Sequence, residues 1–213
     1  MITCFKGRHD VLSNFFEFPF TWLGRPFRST EHAYCHTKAV AAEDEDAAND
    51  VISGKLSAAQ AKHRTRHLRP EGWDRRKGTL MAQLVRAKFH QCGAYRQALL
   101  AAGDLIAEAV PGNSPSVLFW SAGLEEAELR RTPVLDWPGA NRMGHIHMTL
   151  RDEVRNNPAR MSAPHDQPSP PPLMTLAVRP PTQLLPSPTR PPTNSPVPSL
   201  LSMPLRSRAV SGS

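Results

Sequence analysis

The chain has 213 residues, 39% of them hydrophobic, and a formal net charge of +7. That is long enough for one domain with a proper core, or for a smaller domain followed by a tail. No apolar stretch reaches the length of a membrane span, and three scattered cysteines without a CxxC pair speak against a disulfide framework or a zinc ribbon.

Composition places a boundary at residue 157. Residues 158–213 hold fifteen of the 22 prolines and a single acidic residue, Asp166. Such a segment buries too little apolar surface to offset its ordering entropy, so a disordered Pro/Ser/Thr-rich tail is expected. Stretches such as 186–198 suit polyproline II and an SH3- or WW-type partner, although a passive tail is the plainer reading. Arg160, Arg179, Arg190, Arg206 and Arg208 against Asp166 contribute +4, which leaves +3 for residues 1–157. The high charge is therefore poor evidence for a nucleic-acid-binding face on the folded part. The start, MITCFKGRHD, has no apolar run of signal-peptide length. A soluble intracellular protein, cytoplasmic or nuclear, is the expectation.

In chain order, residues 2–5 read as a short strand. Phe16, Phe18, Phe20 and Trp22 then follow at period two, before turn chemistry at Leu23-Gly24-Arg25-Pro26. This pattern predicts a small antiparallel sheet from residue 2 to about 28. Its aromatic residues read as core rather than as a platform for stacking bases.

A helix leaves this sheet at Ser29-Thr30-Glu31. Ser29 or Thr30 can cap it, and Glu31 in the first turn suits the helix dipole. At about 100° per residue, Ala33, Tyr34, Thr37, Val40 and Ala41 share the core face, while Glu31, Cys35 and Lys38 share the opposite one. Glu31 and Lys38, roughly 10 Å apart along the helix, can act as acid/base and electrophile-binding group across a small substrate. The ordinary alternative is a solvated helix face.

A second helix spans about 44–53 and stops at Gly54. Ser57 and Gln60 make a capping box that opens a third helix, in which Lys62 and Arg66 are i, i+4 neighbours. That pair is either a phosphate-holding patch or ordinary surface charge. Trp73 precedes a long helix over 75–92, a shorter one over 95–102 and a strand within 105–110. Residues 111–115 form a loop, 117–120 are apolar, and Asn141 caps a last helix running through Val154. His145 and His147, two apart on a helix, do not converge, and His32 with His36 lacks a third ligand, so no metal is expected.

These pieces together resemble the NADAR (YbiA-like) family. The matching residues are Leu12-Ser13-Asn14-Phe15-Phe16, Phe27-x-Ser29-x-Glu31-His32-x-Tyr34, Lys38, Ala61-Lys62 with Arg66, Trp73, Met81 and Lys88-Phe89-x-Gln91. They continue through Gly103-Asp104, Glu108, Trp120-x-x-Gly123-Leu124, Pro138-Gly139-x-Asn141-x-x-Gly144 and Met148-x-x-Arg151, so that the resemblance covers roughly residues 2–156. It implies a compact, mainly helical α+β domain over 1–157, with a small antiparallel sheet, and hydrolysis of N-glycosidic bonds without a cofactor.

The substrates implied are phosphorylated ribosylamine intermediates of riboflavin synthesis, or ADP-ribosylated guanine. For either, Glu31 would manage the proton at the breaking C1′–N bond, with Lys38 assisting. Asn14, Lys62, Arg66, Trp73, Lys88, Trp120 and Asn141 would bind substrate, Trp73 by stacking on the base. Lys38 or Lys88 could also form a Schiff base with an opened sugar. Four positions depart from the family pattern. Val117 replaces an acidic residue, Ser121 a glycine, Cys35 a glutamine and Ala140 a lysine. Valine can neither accept a sugar hydroxyl's hydrogen bond nor move a proton, so the resemblance also admits a weakened or inactive nucleotide-sugar-binding module.

Overall fold

The computed structural model describes residues 1–157. The proline-rich segment 158–213, with its expected disorder and its SH3- or WW-type partner, lies outside the described residues. The described part is mainly helical. Strands β1 (Ile2–Phe5), β2 (Phe20–Trp22) and β3 (Arg25–Phe27) precede helices α1 (Thr30–Ala41), α2 (Glu45–Ile52), α3 (Ala58–Thr65), α4 (Trp73–Gln91) and α5 (Gly93–Ala101). Strand β4 (Leu105–Glu108), short helices α6 (Pro115–Trp120) and α7 (Glu126–Leu129), one 3-10 turn (Val134–Asp136) and α8 (Arg142–Asn156) complete it.

The antiparallel sheet is smaller than its sequence pattern predicts. It is the β2–β3 hairpin, with Phe20 opposite Phe27. β1 does not join it and instead pairs in parallel with β4, placing Ile2 opposite Leu105 and Phe5 opposite Glu108. A four-residue strand carries no mark of its partner, and parallel pairing requires a long crossover, here the whole α1–α5 region. That crossover brings Glu108, at the end of β4, within reach of the charge of Glu31 on α1.

Local signals explain the helix starts. The Ser29 hydroxyl accepts the His32 N–H, Asp44 accepts the Ala47 N–H at the head of α2, and Ser57 and Gln60 form a complete capping box on α3. α6 is a helix where the sequence suggested only an apolar run, opened by Pro115 behind the Ser114 cap. α4 packs against α1, α5, α8 and β2. Around it Phe5, Trp22, Leu84, Phe89, Tyr95, Leu99 and Ile106 are each no more than 2% exposed. The aromatic run is accordingly core, with Phe20 tilted against Phe18 at 5.2 Å between ring centres. Among the described residues no helix is long and apolar enough to cross a membrane.

Candidate active site

α1 supplies the first carboxylate, and its placement corrects the outward stripe expected from periodicity. Glu31 is only 4% exposed, and Cys35 is buried beneath it. Periodicity identifies which residues share a face but not whether that face is covered, and α1 is packed by α2, α3, α4 and β3. The Glu31 N–H donates to the Asn14 carbonyl at 3.1 Å, and its side chain accepts the Cys35 thiol at 3.8 Å. Burial raises the Glu31 carboxyl above the ordinary glutamate range. The largest charge pulling it back is Lys62, with His32 and Lys38 behind it.

Glu108 is the second carboxylate, absent from the sequence-derived site although it lies among the residues that match the family. Burial, opposed by Lys62 and aided by the charge of Glu31, pushes it up to about 7. Glu31, Glu108 and Lys62, from α1, β4 and α3, thus act on one another. The signal in sequence was a carboxylate ending an otherwise apolar strand, Leu105-Ile106-Ala107-Glu108.

Asn141 is what holds Glu108. Its Oδ1 accepts the Glu108 N–H at 3.1 Å and its Nδ2 donates to the Ile106 carbonyl at 2.9 Å. It occupies the N-cap position of α8 in the left-handed region, but its side chain makes no capping bond, so the expected cap is not formed. α8 can approach β4 this closely because residue 144 is glycine. A Cβ there would run into the Ile106 carbonyl and the Asn141 amide.

Tyr34, on the same helix as Glu31, joins an aromatic cluster. Tyr34 packs on Trp73 at 5.3 Å and meets Trp120 edge-on at 5.9 Å. The Tyr34 hydroxyl bonds to Trp73, and burial, followed by the charge of Glu31, raises its pKa. Trp73 is 8% exposed and turned against Tyr34, which leaves the half-buried Trp120 as the more open ring. The Lys62 ammonium lies 5.3 Å from the centre of the Phe15 ring.

The remaining expected residues separate into near and far. Lys38 is half-buried and donates to the Thr65 carbonyl at 3.0 Å; burial, then Arg69, lowers its pKa. Arg66 caps the end of α3, exposed, and Lys62 rather than Arg66 is the α3 charge that acts on both carboxylates. Asn14 is buried beside Thr30 and Met143. Lys88 is fully buried, and its amine donates to the Ser13 carbonyl at 2.8 Å. His32 is engaged at both ring nitrogens, by Ser29 at 2.7 Å and the Leu56 carbonyl at 2.9 Å. Among the described residues no three His, Cys, Asp or Glu side chains are grouped to hold a metal ion.

Two of the departures have structural consequences. The Ser121 hydroxyl is shared between the Val110 carbonyl at 2.8 Å and the Val117 carbonyl at 3.0 Å, and it accepts the Gly123 N–H at 3.1 Å. It thereby ties the end of α6 to the segment after β4. Val117 lies in the first turn of α6, half-buried.

Two carboxyl groups with raised pKa values and one ammonium that acts on both can retain a proton near neutrality and deliver or accept it at a bound heteroatom. A family model described as the NADAR domain matches residues 4–155. An N-glycosidase of Acanthamoeba polyphaga mimivirus is 34% identical over 91 residues, which are 42% of this chain and 51% of the relative. The chain thus spans about half the length of that curated relative. The NMR structure of the E. coli protein YbiA superposes with a TM-score of 0.56 at 23% identity, covering 78% of this chain and 90% of YbiA.

Proposed function

Because the chain belongs to the NADAR domain family, we propose that it hydrolyses an N-glycosidic bond between a phosphate-bearing ribose and a nitrogen heterocycle. The observation that carries this reading is the Glu31–Lys62–Glu108 group: two carboxyls above their ordinary range, both acted on by one ammonium. The name of the mimivirus relative supports the same bond class. Glu31 handles the proton at the C1′–N bond, and its pairing with Glu108 keeps one proton available around neutrality. Lys62 takes a substrate phosphate or steadies the carboxylate charge once that proton leaves. Lys38 adds positive charge one turn from Cys35, and Trp120 offers its half-open ring to the base.

The substrate is an ADP-ribose-like or ribosylamine-phosphate N-glycoside, a small molecule or ADP-ribosylated guanine. Val117 favours a second reading, in which the domain holds a nucleotide sugar without cleaving it. Release of base from ADP-ribosylated guanine and from a ribosylaminopyrimidine phosphate, measured on the full chain, separates the two. Turnover that vanishes in Glu31→Gln supports hydrolysis; ADP-ribose binding by calorimetry without turnover on either compound supports the binding module.

A further inference from the structure

We propose that Lys88 is a positioning residue, which holds through the Ser13 carbonyl the 12–16 loop that seats Glu31 and Lys62. The proposal rests on the hydrolase reading above. Lys88 is 0% exposed within α4. Burying an amine costs several kcal/mol unless other groups compensate, so it persists where it does something an apolar side chain cannot. Its Nζ donates to the Ser13 carbonyl at 2.8 Å. Around it stand the rings of Tyr95 at 4.7 Å, Phe16 at 5.6 Å and Phe18 at 5.7 Å. Burial lowers its pKa to about 7, with Cys92 and Asp10 acting the other way. Charged or neutral, the amine still has a proton to donate to that carbonyl.

The residues after Ser13 are the ones that reach the site. The Asn14 carbonyl accepts the Glu31 N–H and the Thr30 hydroxyl, each at 3.1 Å. Asn14 Oδ1 accepts the same hydroxyl at 3.2 Å, and Asn14 Nδ2 donates to Met143 Sδ at 3.3 Å on α8. One residue further, Phe15 lies against the Lys62 ammonium at 5.3 Å. A single carbonyl, gripped by Lys88 and by the Phe16 N–H at 3.3 Å, therefore fixes the backbone that meets both Glu31 and Lys62. Tyr95 steadies the grip from behind, its hydroxyl bonded to His147 Nδ1 at 2.7 Å. The amine lies too deep to bind substrate, and its effect reaches the reaction through the loop.

The test uses the full chain with Lys88→Met, which keeps the stem and removes the donor. With the substrate that the wild type turns over, kcat is expected to fall at least about tenfold while KM stays within about threefold, the signature of lost transition-state geometry. Equal loss in both, or an unchanged kcat, overturns the proposal. So does capture of the sugar on Lys88 by borohydride during turnover, which would make it a catalytic residue. If Lys88→Met does not fold, Asn14→Ala loosens the same loop and must show the same kcat-only loss. NMR titration of the Glu31 carboxyl needs no substrate. It shifts to lower pH in Lys88→Met as water enters, and an unchanged titration overturns the proposal even where the wild type proves inactive. Absence of turnover in the wild type counts instead against the hydrolase reading.

Discussion

The backbone N–H of Glu108 donates to Asn141 Oδ1 at 3.1 Å, so the head of α8 sets the height of the second carboxylate. Asn141 is 3% exposed and both ends of its amide are used on β4, one on Glu108 and one on Ile106. Asn141→Ala leaves a buried donor and a buried acceptor without partners, each costing about 1–3 kcal/mol. The variant is expected to lose about 2–4 kcal/mol of stability in urea unfolding and to lose activity under conditions where it is still folded. A stability equal to that of the wild type would remove Asn141 from the scaffold described above.

The Glu31–Glu108 pair predicts a pH profile. Glu108 sits at about 7, raised by burial and by Glu31, so this carboxyl gives up its proton as pH passes that value. The hydrolysis rate should decline above about pH 7 for that reason. Glu108→Gln is expected to lower kcat by about a hundredfold or more and to displace this limb. Glu31→Gln should abolish turnover while far-UV circular dichroism remains that of the wild type. A Glu108→Gln enzyme with wild-type rate and profile would leave Glu31 as the only carboxylate in the reaction.

Local chemistry was legible in the sequence wherever a side chain acts on its own backbone. The Ser57–Gln60 box and the stop at Gly54 follow from spacing alone, and so does a cap at Ser29 or Thr30, of which the structure uses Ser29. Long-range placement was not legible. Glu31 read as exposed because helical periodicity does not show what covers a face, and the burial of Lys88 went unread because nothing local marks an amine as buried. β1 read as part of the hairpin because its partner lies a hundred residues away in the chain. Glu108 went unassigned for the same reason: only the β1–β4 ladder, with Gly144 letting α8 close on it, brings that carboxylate to α1.

Cys35 gives this chain its own tuning of Glu31. The thiol is a weak donor at 3.8 Å, so the carboxylate receives little hydrogen-bond stabilisation to offset its burial. In Cys35→Gln, with the residue the family pattern carries, an amide N–H stabilises the charged form. The Glu31 titration and the limb of the rate profile that reports it should both move to lower pH. A profile that stays in place would show that the thiol contact does not act on Glu31.

Val117 is the departure that bears on turnover. It is the third residue of the first turn of α6, after the Ser114 cap and Pro115. An aspartate there also suits the positive end of the helix, so Val117→Asp should fold at least as well as the wild type. Its kcat/KM on the better of the two substrates should rise about tenfold, the gain of one added hydrogen bond or proton-transfer group. An unchanged kcat/KM would mean that this position does not face the substrate.

Acid stability follows from His147, fully buried and held neutral. Burial and then the nearby Lys88 ammonium lower its pKa to about 3, against the opposing pull of the Leu12 backbone. The unfolded chain takes up a proton near 6.5, whereas the folded chain refuses it until about 3. The unfolded state therefore binds more protons between those values, and stability falls as pH drops from about 6.5 toward 3. The imidazole alone accounts for a loss on the order of 4 kcal/mol across that window. His36 adds in the same direction, its pKa lowered to about 4 by burial and then by Arg25. Lys88 acts in the opposite window. Its folded pKa of about 7 lies below the unfolded value of 10.5, so stability rises as pH increases from 7 toward 10. Glu108, raised to about 7, opposes the acid climb, because the folded chain keeps a proton there that the unfolded chain releases above about 4.5. Urea midpoints from pH 4 to pH 9 are therefore compared between each variant and the wild type. His147→Gln, which keeps a polar partner for the Tyr95 hydroxyl, should flatten the acid climb, and Lys88→Met the alkaline one. If the acid climb survives His147→Gln undiminished, acid sensitivity comes from elsewhere and the imidazole is not the buried neutral group placed here behind Tyr95.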